Sequence, residues 1–275
     1  MELPLYSSGT PGGPRVLLVH GLNGDAATWW RVADAFEASG CHVHSVDLRG
    51  HGAAARDDDL ALASYAADLP GTDWDLVLGH SLGAATASIA ATTPGFARRL
   101  ALLDPVLEID PASRDAIIAD QLAELELTVD SLTAEKPHWH PRDVATKVAA
   151  ARLSSPGTAR GSFDDNPAWD AVTAVAGLEI PTLVLSGDPA VYTMLGTATV
   201  AAITRPALEY RVIPGTGHSP QRDDFDATMA VLWDWLSRSP EPSGRLDPRS
   251  PRFSYPEAPL FRLESGYRNR EHQIP

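Results

Sequence analysis

The chain is 275 residues long and 44% hydrophobic, enough to bury a sizeable core, in one large α/β domain or in two small ones. Its formal net charge is −14, from 22 Lys+Arg against 36 Asp+Glu, so its surface repels phosphate backbones and anionic headgroups, and neither nucleic acid nor membrane is expected as a partner. Cys41 is the single cysteine, which excludes an intramolecular disulfide. The start, Met1-Glu2-Leu3-Pro4-Leu5, lacks a basic stretch followed by a long apolar run, so a cytoplasmic protein acting on a small molecule is expected.

In chain order, Glu2–Tyr6 offers a short edge strand. Six apolar runs then read as strands: Val16–Val19, Val43–Val46, Leu76–Leu78, Leu100–Leu103, Thr182–Leu185 and Tyr210–Ile213. Each is about four residues, and few alternate cleanly. Strands buried on both faces of a parallel sheet have this character. Helical patterns lie between them at Ala26–Ala38, Leu60–Leu69, Leu82–Ala91 and Phe225–Leu236. Alternation of this kind predicts an α/β fold with a mostly parallel, doubly wound sheet. Between Asp104 and Ile180 the alternation stops. Ser113–Leu125 and Pro141–Leu153 read as helices there, and Ser154–Pro167 as a Gly/Ser/Asp/Pro-rich loop. That length favours an inserted helical cap over an ordinary connection. The expected organisation is a core over 1–104, a cap over 105–180, the rest of the core over 181–237, and a Pro/Arg-rich tail over 238–275. The tail has little periodicity but carries Phe253, Tyr255, Phe261 and Tyr267. These suggest packing on its own domain or on a second copy, so a homodimer through the tail is one expectation.

The strongest chemical signal is Gly79-His80-Ser81-Leu82-Gly83, after an apolar strand and before an Ala-rich helix. A G-x-S-x-G turn in that context holds a serine in a sharp bend at a helix N-terminus, with its Oγ exposed to a substrate. Glycines flank it because side chains would meet the neighbouring strand and helix. A second glycine loop, His20-Gly21-Leu22-Asn23-Gly24, follows the Val16–Val19 strand. The Leu22 and Leu82 N–H groups are the candidates for an oxyanion hole. The third signal, Gly215-Thr216-Gly217-His218-Ser219, places a histidine after the last strand, where it can take the serine proton. His138-x-His140 lacks the further ligands a metal site needs. No Walker loop is present, so neither metal nor cofactor is expected.

These motifs, with Asp47-Leu48-Arg49-Gly50-His51-Gly52, make the stretch from about residue 14 to 237 resemble the α/β-hydrolase superfamily, in its serine-nucleophile, esterase- and lactonase-like branch. The resemblance implies an enzyme with Ser81 as nucleophile, His218 as general base and a carboxylate behind the histidine. The superfamily usually carries that acid in a G-x-x-D pattern after the penultimate strand. Here the segment reads Ser186-Gly187-Asp188-Pro189-Ala190, so Asp188 falls out of pattern. Some relatives, including certain haloalkane dehalogenases and mycotoxin lactonases, place the acid as Asp104 is placed. Asp104 is therefore preferred and Asp188 kept as the alternative. Asp47 and Arg49 are expected to fix loop geometry. Trp29, Trp30, Trp139 and Trp169 are candidates for lining an apolar pocket, Trp29 and Trp139 foremost.

The implied activity is cleavage of a carboxylic ester, lactone or thioester of a small apolar substrate through an acyl-enzyme. Two alternatives stand beside it: a cofactor-free C–C hydrolase, cyclase or lyase, and a non-catalytic small-molecule receptor on the same fold.

Overall fold

The computed structural model describes residues 1–238; the tail aromatics and the tail-mediated dimer lie outside the described residues. Seven strands form one sheet in the order β1-β3-β2-β4-β5-β6-β7. They are β1 Leu5–Gly9, β2 Arg15–Val19, β3 His42–Val46, β4 Leu76–His80, β5 Leu100–Leu103, β6 Thr182–Ser186 and β7 Leu208–Val212. Only β1 runs antiparallel, against β3, with Leu5 opposite Val46 and Gly9 opposite His42. The other pairings are parallel. The edge strand thus begins three residues later than Glu2, where its backbone meets the end of β3.

The apolar runs are continuous because each inner strand buries both faces. Leu17, Val19, Val77, Leu100, Leu102 and Val184 face one core layer, and Val16, Leu18, Leu76, Leu78, Ala101 and Leu103 face the other. The first layer is covered by α2 (Leu62–Asp68), α3 (Leu82–Ala90) and α8 (Val172–Gly177). The second is covered by α1 (Trp30–Ala38) and α11 (Phe225–Arg238), through Val32, Phe36, Met229, Leu232 and Trp235. Each such side chain, moved fully from water, contributes about 1.5–3 kcal/mol. Trp29 belongs to this second layer at 2% exposure. It ends the 3₁₀ turn Ala26–Trp29 that precedes α1 and packs into this layer, so the expectation that it lines a pocket is corrected.

Between β5 and β6 lie five α-helices, α4 (Arg114–Ala123), α5 (Val129–Glu135), α6 (Pro141–Leu153), α7 (Pro156–Asp164) and α8, with a 3₁₀ turn at Glu124–Glu126 after α4. The expected loop over Ser154–Pro167 is largely α7. Its composition hides a good helix start. The Ser155 hydroxyl accepts from the Thr158 N–H, Pro156 occupies the first turn, and Ala159, Ser162 and Phe163 are buried. The remaining helices are α9 (Thr197–Ile203) and α10 (Pro220–Asp223). No helix among the described residues is long and apolar enough to cross a membrane.

Loss of the α7 cap gives a direct test of that start. Ser155→Ala is expected to cost about 1 kcal/mol, lowering Tm by about 2–4 °C in a thermal melt. No change would mean that α7 is held by packing alone.

Candidate active site

The loops after β2, β4, β5, β6 and β7 converge at the carboxyl edge of the sheet, where open parallel sheets build their sites. Gly79 and Gly83 are required by close approach. A Cβ on Gly79 would sit 2.6 Å from the Gly83 carbonyl oxygen, and one on Gly83 would sit 2.2 Å from that of Val19. Between them Ser81 adopts φ 54° and ψ −119°. Asn23, Asp73, Ser81 and Asp104 are the non-glycine residues with positive φ among those described, and all but Asp73 lie here. Strain concentrated in one place, on three different loops, marks a site held by its surroundings.

Three of the expected residues form one hydrogen-bonded chain. His218 Nε2 lies 2.9 Å from Ser81 Oγ, and His218 Nδ1 lies 2.6 Å from Asp104 Oδ2. A carboxylate only accepts, so Nδ1 carries the ring proton and Nε2 is left to accept from the serine hydroxyl. Asp104 is fully buried. Its Oδ1 also accepts from the Gly187 N–H at 3.1 Å and the Thr193 hydroxyl at 2.5 Å, and its Oδ2 from the Met194 N–H at 3.1 Å.

Asp188 is not in this chain. Its oxygens accept from the Ala190 and Gly215 N–H groups, both at 2.8 Å, and these amides hold its carboxyl below the usual range. Its own N–H donates to the Thr216 carbonyl. Asp188 therefore clips the β6 loop to the loop that carries His218.

The His20–Gly24 loop passes directly over the serine: a Cβ on Gly21 would sit 3.0 Å from Ser81 Cβ. Leu22 lines the cleft from this loop. Leu82 is the first residue of α3, so its N–H has no partner within the helix. Buried Asn23 anchors the loop by donating to the Gln121 carbonyl at 2.9 Å. Asp47 accepts from the Ala26 and Ala53 N–H groups at 2.8 Å each, and Arg49 Nε donates to Asp68 at 2.7 Å. Both fix loop geometry, as their motif suggests.

The cleft holds about 620 Å³, within the range of small-molecule sites. Leu22, Val106, Ile109, Ile117, Phe163 and Trp169 supply apolar wall. Trp139 also lines it, with its Nε1–H donating to Asp223 at 2.6 Å. Trp30 does not line it and instead donates to Asp143 at 2.7 Å. His138 bonds Asp223 at 3.1 Å, and His140 caps α6, which are structural uses for both.

Three site residues carry no sequence signal of their own: His80, Arg222 and Asp223. The His80 ring donates from Nε2 to the His218 carbonyl at 2.7 Å, and burial holds it neutral, its pKa well below the usual value. Asp223 accepts from the Gly217 N–H at 2.7 Å, so it shapes the His218 loop. The variable position inside G-x-S-x-G, and a polar pair after the histidine, look like any surface residues in a linear reading.

A sequence model described as "Alpha/beta hydrolase family" matches residues 16–231. The chain belongs to the alpha/beta hydrolase family. It is an enzyme of that family, in line with the relatives and structures it matches. The (E)-2-((N-methylformamido)methylene)succinate hydrolase of Acinetobacter baylyi is 30% identical over 205 residues, covering 64% of this chain and 73% of that one. The pimeloyl-[acyl-carrier protein] methyl ester esterase of Vibrio parahaemolyticus is 27% identical over 250 residues, covering 81% and 94%. Among solved structures, an E-2-(acetamidomethylene)succinate hydrolase superposes with a TM-score of 0.73 at 21% identity, covering 86% of this hydrolase chain and 95% of the other.

Buried titratable groups make the stability of this hydrolase pH-dependent. Burial depresses His20 to about 4 and His51 to about 3, whereas burial and Asp47 raise Asp25 to about 6. Below the ordinary histidine pKa near 6.5 the unfolded chain takes up protons that the folded histidines refuse. Stability is therefore expected to be full above that value and to fall as pH drops toward 4. Asp25 works the other way, since its ionised form is penalised in the fold. Asp25→Asn should thus raise Tm at pH 8, with the gain vanishing near pH 4, in melts across that range. A gain independent of pH would assign the effect to the bond that Asp25 accepts from the Thr28 N–H, capping the 3₁₀ turn Ala26–Trp29, rather than to charge.

Proposed function

We propose that the protein is a serine hydrolase that cleaves a carboxylic ester, lactone or thioester through an acyl-enzyme. The observation that carries this is the chain of 2.9 Å and 2.6 Å contacts from Ser81 through His218 to Asp104. Ser81 Oγ attacks the carbonyl carbon while His218 Nε2 takes its proton. The carbonyl π-bond opens onto oxygen, and the Leu22 and Leu82 amides stabilise that oxyanion. As the intermediate collapses, the bond to the leaving oxygen or sulfur breaks, and that atom receives the proton from His218. Water then repeats the sequence on the acyl-enzyme, with His218 as base, and releases the acid. Asp104 orients the imidazole and stabilises its charged form. The segment between β5 and β6 acts as a cap, because its residues Ile117, Leu132, Trp139 and Trp169 line the cleft. The ester reading draws on the relative named a methyl ester esterase.

A fluorophosphonate probe tests the nucleophile. One adduct by intact mass on the wild type and none on Ser81→Ala is expected. No adduct on folded wild type would move the reading to C–C or lyase chemistry, in which the serine only polarises a carbonyl. The acid is tested separately. Asp104→Asn is expected to lower kcat by about 10⁴-fold, as loss of the histidine's orienting carboxylate does. Asp188→Asn is expected to lower it by less than about tenfold, because Asp188 lies outside the proton path. The reverse ranking in ester turnover would reassign the acid.

A further inference from the structure

Arg222 is the unusual cation of the cleft. It is 8% exposed, lines the same cavity as Ser81 and His218, and follows His218 by four residues. Its Nε–H is buried with no hydrogen-bond partner, and among residues 1–238 its guanidinium makes no ion pair within 4 Å. In a chain of net charge −14, a cation buried without a carboxylate contact is conspicuous, because charged groups enter the interior paired.

The nearby acids explain why it stays free. Asp143, Glu124, Asp223 and Asp25 act on Arg222 electrostatically, and each already accepts a hydrogen bond elsewhere, although the buried Oδ2 of Asp143 has no partner. Asp223 accepts from Gly217, Trp139 and His138. Glu124 accepts from Lys147 Nζ at 2.6 Å, Asp143 from Trp30, and Asp25 from the Thr28 N–H. Of the other cations lining the cleft, Lys147 is consumed by Glu124, and Lys136 is 3.5 Å from Glu135. The Trp139 ring lies 5.2 Å from the guanidinium carbon and covers one side of it. What remains is a planar fork of N–H donors with a fixed aromatic neighbour, on the wall of the cleft.

We propose that Arg222 is the anchor for a free carboxylate carried by the substrate. The enzyme then takes an ester, lactone or thioester bearing a second, ionised carboxyl group rather than a purely apolar acyl compound. A carboxylate matches the guanidinium fork with two parallel hydrogen bonds and supplies the missing countercharge. The inference rests on the hydrolase reading for which bond is broken, but the anchor can be measured without turnover. Four carboxylates in electrostatic reach keep the cleft from being a general anion trap, so selectivity depends on reaching the fork itself.

The test uses two ester series: ethyl half-esters of succinic, glutaric and adipic acids, and acetate esters of 3-hydroxypropanoate and 4-hydroxybutyrate. Each is paired with the same ester carrying a terminal carboxamide, which is nearly isosteric and uncharged. Calorimetric titration of the full-length Ser81→Ala protein is expected to show at least one carboxylate binding tenfold or more tightly than its carboxamide. Adding Arg222→Gln should bring that ratio close to one, and Arg222→Lys should keep part of it. In the wild type the same pair should differ in kcat/KM chiefly through KM. The anchor is overturned if no member of either series outbinds its carboxamide, or if the preference survives Arg222→Gln. It is also overturned if Arg222→Gln weakens both members of a pair equally, which would make the arginine a countercharge to the buried acids. Arg222-dependent carboxylate binding without ester turnover would overturn the hydrolase reading and leave the anchor standing. Equal turnover of both members by the wild type would do the opposite.

Discussion

The buried carboxylate of Asp104 organises the carboxyl edge of the sheet. It stands at φ +36° immediately after β5, and its oxygens gather donors from the Gly187–Met194 loop and from His218. A fully buried carboxylate left unpaired would cost several kcal/mol, so these donors and the loops that bear them are fixed together. The strand order makes this possible. β5 lies between β4, which leads into Ser81, and β6, which leads into the loop that wraps Asp104. One side chain just past the end of the middle strand therefore bonds the β6 loop and sets the position of the histidine that faces Ser81.

The second carboxylate of the region works by a different route toward the same end. Asp188 bonds Gly215, and Asp223 bonds Gly217, so two acids brace the short glycine loop that leads into His218. His80 holds the backbone of His218 itself. A histidine on a glycine-rich loop would otherwise sample many positions. The backbone bonds restrict it, and its Nε2 stays within reach of the serine.

Much of this was legible in the sequence because it is written in short, local patterns. The five inner strands follow from apolar runs buried on both faces, and the partly buried β7 closes the sheet as an edge. The bends at Ser81 and His218 follow from glycines that leave room for neighbouring backbone. Asp104 was separable from Asp188 only by pattern, and the physical difference between them is burial, which a linear reading does not contain. The α7 helix was hidden because Ser155-Pro156-Gly157 resembles a loop until the Ser155 cap and the Phe163 contact are seen. Trp29 was misread for the complementary reason: a helical stripe of apolar residues does not say whether it faces the sheet or a cavity. Arg222 gave no signal at all, since its significance lies in partners that are occupied by others.

That last point links the helical segment to the chemistry. Asn23, beside the glycine loop over Ser81, bonds the Gln121 carbonyl, and Lys147 on α6 takes Glu124. Trp139 from the same segment takes Asp223 and faces Arg222. These contacts engage Glu124 and Asp223, two acids of the cleft wall, with donors other than Arg222. Were Glu124 or Asp223 released from its partner, it would be free to pair with Arg222, on which it already acts electrostatically, and that ion pair would compete with an anionic ligand. The arrangement of the segment between β5 and β6 thus does two things at once: it sets the loops around Ser81 and it keeps the guanidinium uncommitted.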